Sequence, residues 1–573
     1  MALAIPAQVA APGPEAIPGP LAVDPMDRSI DRAMAAFGLL DDANPLFAPA
    51  SGVPRAAVLL AVPFLVGSGL FDAAAKSYAS IGPAFYGLRT ILLTLLFLGL
   101  LRIKHPENVK EYSPPELGRI LGLDRAPEVK TIRRKLARMA QNEQALELFV
   151  GGLVRRRVER ASEALGFLYA DGHVRVYSGK HDMPKAHVAR MRISLPATQD
   201  VWINDADGTP LFFVTQEAHP QLVSALRQVL PEVRKLVGKK RRPTVVFDRG
   251  GWSPQLFGWM DKQGFDVLTY RKGKADPVPA DRFTTYEVEL PGGKEKYELA
   301  DTEIEVAKGF KMRQVTRRQE DHQTHIVTTR RDLPVTEVAI RMFNRWRQEN
   351  FFKYMREEFA IDALVEYGVE PTDARRLVPN PQRKALDKEM RQAKADVLRL
   401  EAAYGAAAMN NKEAVRPTMR GFKIAHGTDL GIPLRNARGR VAELQQQRHA
   451  TPTKVEIGQI KDRVFRLKIR RKRLSDALKM LAYQTETDMV RAIAPFYSRC
   501  LDEGRTLVSA ALMSTADIEP TAAELRITLS PQSSPHRTRA IAHLCDILNA
   551  TETRFPGTEL RLRYAVRGDD RAT

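Results

Sequence analysis

Cysteine is nearly absent from this 573-residue chain, with only Cys500 and Cys545. They lie far apart and form no CxxC spacing. That argues against a disulfide framework and a cysteine-based zinc site, and it implies a reducing cytosol. Long apolar runs are also lacking. The longest, residues 90–101 (TILLTLLFLGLL), is bracketed by Arg89 and Arg102. It falls short of the ~17 residues that span a bilayer, so it reads as a buried core helix and no membrane partner is expected. The opening MALAIPAQVAAPGPEAIPGP lacks a basic n-region and is rich in Pro and Ala. It reads as a disordered tail, not a signal peptide. Acidic residues are scarce relative to basic ones: 68 Asp and Glu against 88 Lys and Arg, a formal net charge of +20 and a pI near 9.8. This excess is more than solubility needs. A polyanionic partner is implied, and nucleic acid fits best because phosphate contacts dominate such affinity.

What is present allows real cores, since 44% of residues are hydrophobic. The length exceeds a single core. We read a Pro/Ala tail over 1–53, a helical region over 54–164, a mixed α/β region over 165–370, a charged helical segment over 371–500 and a small α/β unit over 501–573. Within the second region, YSPPELGRILGLDRAPEVKTIRRKLARMA predicts two short helices over 113–140. Ser113 would cap the first, with Glu116 completing a capping box, and Gly122 supplies the turn. The second carries Lys130, Arg133, Arg134, Lys135 and Arg138, with Val129, Ile132 and Leu136 inward. The pair resembles a helix-turn-helix, making Lys130, Arg133 and Arg134 candidate DNA contacts. An ordinary helix pair fits the same pattern.

From about 165 the period changes to strands. Residues 166–170, 174–177 and 211–215 predict three strands, followed by a helix over 220–237. PTVVFD predicts a fourth strand, residues 253–263 a helix, and FDVLTYRKG a fifth strand. Residues 275–332 alternate with period two and predict a β insertion. Residues 381–482 are helical and highly charged. Ile457, Ile460, Val464, Leu467, Arg471, Leu474, Leu478 and Leu481 predict a coiled-coil seam, repeated earlier at Leu386, Met390, Ala393, Val397 and Leu400. A helical hairpin is expected, acting as a spacer or as an arm that clamps DNA or a partner protomer.

Three acids stand in telling contexts: Asp171 in GFLYADGHVRVYSG, Asp248 in PTVVFDRGGWSP and Glu349 in FNRWRQENFFKYM. Each aspartate ends a short apolar run, and the glutamate lies on a helix. Phosphodiester chemistry needs an oriented nucleophile and neutralised charge at phosphorus, and clustered carboxylates from separate segments can hold two Mg²⁺ ions for that purpose. Mn²⁺ would substitute. Met342, Arg345, Glu349 and Arg356 would share one helix face within about 60° at ~100° per residue. Arg345 would orient the carboxylate or grip phosphate. Taken singly, Asp171-Gly172 and Asp248-Arg249-Gly250-Gly251 are ordinary turn signals. Asp182 and Asp205 are rival first carboxylates.

These residues give the chain a resemblance to DDE transposases of the bacterial insertion-sequence type that bear a Tyr-x2-Arg-x3-Glu-x6-Lys signature. Arg345 and Glu349 match it, Arg356 replaces the lysine, and Met342 replaces the tyrosine. VVFDRGGW resembles the strand ending in the family's second aspartate, and YADGHVRVYSG the first-aspartate strand. The resemblance covers roughly residues 165–365. It implies an RNase H-like mixed sheet with a β insertion before the glutamate helix. It further implies metal-dependent cleavage and strand transfer of DNA at element ends, a homodimer at work, and a place at the bacterial nucleoid. Two rival readings remain: a nuclease or resolvase on the same fold, and a non-enzymatic helix-turn-helix regulator of DNA.

Overall fold

Parallel strands cannot be joined by tight turns and need a crossover, usually a helix. The helix predicted after PTVVFD supplies one, and it fixes the centre of the molecule. The computed structural model describes residues 24–568, apart from 79, 162–163, 182, 189–190, 218–221, 274, 291–292, 321, 364, 410–429 and 461–464. The chain divides into two units: Met1–Ser178, Lys185–Tyr367 and Lys468–Thr573 form one, and Gly179–Pro184 with Gly368–Leu467 form the other.

The first unit begins with helices and the short strand β1 (Ala50–Val53). The apolar run 90–101 forms most of the helix Leu88–Leu100, and its residues are buried in the main core. No single helix among the described residues is long and apolar enough to cross a membrane. Pro114–Ile120 and Val129–Gln141 form the expected helix pair. Gly122 turns between them at φ +67°, where a Cβ would also press on Pro45. The first helix lacks the expected Ser113 side-chain cap. Pro114 and Pro115 at its start already remove two of the N–H groups that a cap would satisfy.

The central sheet comprises β2 (Phe167–Val176), β3 (Lys185–Val188), β4 (Ile193–Asn204), β5 (Pro210–Glu217), β6 (Thr244–Phe247), β7 (Asp266–Tyr270), β8 (Thr284–Leu290), β9 (Gly293–Ala307), β10 (Phe310–Gln319) and β11 (His322–Thr328). Its order is β3-β4-β2-β6-β7-β11-β10-β9-β8, with β5 also paired to β4. β2, β6 and β7 run parallel, and Pro254–Lys262 is the crossover helix between the last two. The segments expected as two strands, 166–170 and 174–177, are one continuous strand. Asp171 therefore sits inside β2 rather than at its end, held there by pairing of Asp171 with Trp202 and Gly172 with Val201. The β insertion does not fold apart. β11 pairs antiparallel with β7, so β8–β11 extend the sheet.

The two faces of the sheet bury different cores. Leu168, Ala170, Val245, Phe247 and Val267 point into the large cluster shared with the helices. Tyr169, Val246, Leu268, Val315 and Ile326 form a second cluster, closed by Val338, Ala339 and Met342 from the helix Val335–Phe343.

The second unit has β12 (Val369–Pro371), β13 (Leu377–Pro379), β14 (Lys454–Glu456) and β15 (Phe465–Leu467), paired β12–β15 and β13–β14. Its helices Pro381–Met409 and Gly431–Ala450 lie antiparallel, with Arg438 on Glu401 and Arg448 on Asp387. Residues 410–429, between the two helices, lie outside the described residues. The coiled-coil seam predicted over 457–481 does not form. Ile457 begins a 3-10 turn, Leu467 lies on β15, and Leu474, Leu478 and Leu481 belong to the helix Arg470–Ile493 of the first unit. Val464 is outside the described residues. β14 and β15 use their backbone groups in ladders, so no helix can run through them.

Arg470–Ile493 is a core helix. Its buried Asp488 pairs with Arg157 at 2.7 Å, Glu486 with Arg102 at 2.8 Å, and Asp476 with Arg175 at 3.4 Å. The C-terminal strands β16 (Ala516–Pro520), β17 (Glu524–Leu529) and β18 (Arg561–Val566) form a sheet of order β1-β16-β17-β18, completed by the N-terminal strand.

Candidate active site

The site follows from the register of the parallel strands. Tyr169 pairs with Val246, and Phe247 pairs with Thr269. Two residues beyond the first pair lie Asp171 and Asp248; one beyond the second lies Tyr270. These three occupy one row across β2, β6 and β7. The carboxyl end of parallel strands is where open α/β sheets bind ligands.

Asp171 Oδ1 accepts from the Gly172 N–H at 2.9 Å, and Oδ2 accepts from Arg345 Nη2 at 3.3 Å. Burial pushes its pKa up to about 6, against the opposing charge of Arg345. The charges of Asp248 and Glu349 act in the same direction as burial. The three predicted acids therefore share one electrostatic environment.

Asp248 follows the fully buried strand β6 and caps the turn Arg249–Gly251, its Oδ1 accepting from the Gly250 N–H at 2.8 Å. A Cβ on Gly251 would stand 2.3 Å from the Phe247 ring, so the turn closes tightly beneath the carboxylate. The turn role and the position in the row coexist.

Glu349 lies exposed in the first turn of the helix Trp346–Phe359. A carboxylate there is favoured by the helix dipole. The helix docks on β2 through Gln348, whose Nε2 donates to the Tyr169 carbonyl at 3.1 Å. Buried Phe351 and Phe352 pack around Trp202, and Phe352 stacks on His173 at 5.0 Å.

The shared helix face predicted for Met342, Arg345, Glu349 and Arg356 is not formed. Met342 lies in the last turn of one helix, Val335–Phe343, and Arg345 is the cap residue of the next. The chain breaks at 344–345 because Met342 packs in the cluster under the sheet while Phe351, Phe352 and Met355 pack in the main core. Arg345 is buried, with Nε lacking a partner, and its guanidinium reaches Asp171 instead of running parallel to Glu349. Arg356 stays on the Glu349 helix, half-buried and without an ion pair among the described residues.

Among the described residues, no three His, Cys, Asp or Glu stand at metal-holding spacing. The donors gathered here are oxygens, which suit Mg²⁺ or Mn²⁺.

Two site residues escaped the sequence reading. Tyr270, packed near Arg249 and with its pKa raised by burial, feels the charges of Arg345, Arg249 and Glu349. Its position at the end of a strand parallel to β6 was the available signal. Gln348 gave none, because its role depends on the helix break.

The other candidates separate. Asp205 is a buried turn residue, accepting from the N–H groups of Asp207 and Thr209. Asp182 lies outside the described residues. His173 pairs with Asp362 at 2.6 Å. Arg242 pairs with Asp261 and Asp266. On the helix Val129–Gln141, Lys130 and Arg134 are exposed, Arg133 pairs with Glu107, and Lys135 is buried with its pKa lowered by burial.

A family model described as "Transposase protein" matches residues 25–567. A cryo-EM structure of a piggyBac transposase synaptic complex with hairpin DNA is similar over 79% of this chain and 84% of that chain, at 8% identity and a TM-score of 0.28. No curated protein matches it.

Proposed function

Because the chain belongs to this transposase protein family, we propose that it is a DNA transposase performing metal-dependent strand cleavage and strand transfer at the ends of an insertion sequence. The observation that carries the reading is the row of Asp171 and Asp248 on adjacent parallel strands, with Glu349 close enough to raise the Asp171 pKa. The order β5-β4-β2-β6-β7, three antiparallel strands followed by two parallel ones, supports an RNase H-like core.

Asp171, Asp248 and Glu349 would hold Mg²⁺. Bound there, the ions supply charge neutralisation at the attacking and leaving oxygens. The protein's own groups set the stage. Arg345 balances Asp171 before DNA arrives, and the Arg249–Gly251 turn holds Asp248. Gln348 fixes the start of the Glu349 helix against β2. Arg356 would reach a phosphate, as would Lys130, Arg133 and Arg134 on the N-terminal helix pair once Arg133 leaves Glu107. Element ends come in pairs, so the working form is at least a dimer acting at the nucleoid.

The test is incubation with Mg²⁺ and DNA carrying the element's ends, comparing the protein with Asp248→Asn. Nicking and joining that vanish in the variant support the reading. Equal metal-dependent activity in both overturns it.

A further inference from the structure

The two long helices of the second unit sort their charges by face. On Pro381–Met409 the half-buried residues Leu386, Met390, Ala393, Val397 and Leu400 mark the seam against Gly431–Ala450. At ~100° per residue, Lys384, Lys388, Arg391 and Arg399 lie within ~40° of the direction opposite that seam. No acid of this helix does. Its acids sit nearer the seam, where Asp387, Glu389 and Glu401 pair with Arg448, Arg440 and Arg438 at 2.5, 3.3 and 2.6 Å. The acids are thus largely used in holding the helices together, and the only charged residues on the outward face are cations. All four are exposed. Lys384, Lys388 and Arg391 form no ion pair among the described residues, and Arg399 reaches Asp396 at 3.5 Å. A helix face that merely solvates usually alternates sign along its length.

We propose that this face binds the phosphate backbone of duplex DNA without reading its sequence. The four cations span ~22 Å at 1.5 Å rise per residue, and duplex DNA presents one negative charge per ~1.7 Å. Contacts of this kind position the duplex and leave sequence to other elements. The inference rests on DNA being the substrate but not on the chemistry of the carboxylates.

The experiment measures binding of full-length protein to two unrelated duplexes by fluorescence anisotropy across a KCl series. The comparison is K384A/K388A/R391A, with K296A/K308A/K311A as a charge-matched control on exposed strands and turns. Loss of three phosphate contacts makes the slope of log K against log salt shallower by about 2.7 for both duplexes. The control keeps the wild-type slope, and circular dichroism shows equal helix in all three proteins. An unchanged slope in the first variant, an equal change in the control, or binding of wild type to anionic vesicles but not to duplex overturns the proposal. Failure of the catalytic reading would appear separately, as Asp248→Asn retaining cleavage while the slope change still stands.

Discussion

Asp171 and Asp205 are two carboxylates of one chain pushed up to about 6, each chiefly by burial. They differ in company. Asp205 accepts backbone N–H groups in a turn, whereas Asp171 faces Arg345 and the charges of Asp248 and Glu349. A raised acid pKa means that the folded state holds a proton that the unfolded chain has already lost. Stability contributed by each group is therefore full below the ordinary value near 4 and falls as pH rises through about 6. We predict that Asp171→Asn is more stable than the parent at pH 8 by about 1–3 kcal/mol, with the gain vanishing at pH 4. Thermal melts at the two values check this, and a gain independent of pH contradicts it. Asp205→Asn should give the same pH signature and keep DNA cleavage, while Asp171→Asn loses it. A residue that destabilises the fold and serves the chemistry is the expected mark of a functional position.

The break at 344–345 separates what spacing alone would join. Met342, the departure from the tyrosine of the signature, is fully buried in the cluster of Tyr169, Val246 and Leu268. Met342→Tyr should therefore overpack the core, costing about 1–3 kcal/mol, and bring no gain in cleavage; a faster enzyme would contradict this placement. The core helix Arg470–Ile493 gives a second test at this scale. Arg157→Met leaves buried Asp488 with only the longer contact to Arg491 at 3.5 Å and should cost about 1.5–3 kcal/mol, read as a lower midpoint in urea. The strands around Asp248, the crossover helices and the seam of the helix pair were legible, because each rests on a local period. The inner position of Asp171 was not, since Asp-Gly reads as a turn unless β4 is known to pair across it. The false seam over 457–481 arose because two short strands and a helix can imitate heptad spacing. The link from β11 to β7 depends on contacts distant in sequence, which no local pattern carries.

At the scale of the molecule, the two ends of the first unit fold together. β1 pairs with β16, Phe47 meets Phe555 edge-on at 4.9 Å, and Tyr564 donates to the Leu59 carbonyl at 2.8 Å. The sequence shows 501–573 as a small α/β unit but carries no local sign of this pairing with the N-terminal strand. The arrangement sets the N-terminal helix pair, the central sheet and the C-terminal sheet in one unit, and the basic helix face in the other. The proposed function turns on the carboxylate row of Asp171 and Asp248 with Glu349. Its most direct test is calorimetric titration of the full-length protein with Mn²⁺ at pH 8, in parallel with Asp248→Asn and Glu349→Gln. Mn²⁺ is expected to bind the parent and to bind each variant at least ~10-fold more weakly, since each substitution removes one carboxylate charge from the proposed site. Binding unchanged in both variants would contradict it.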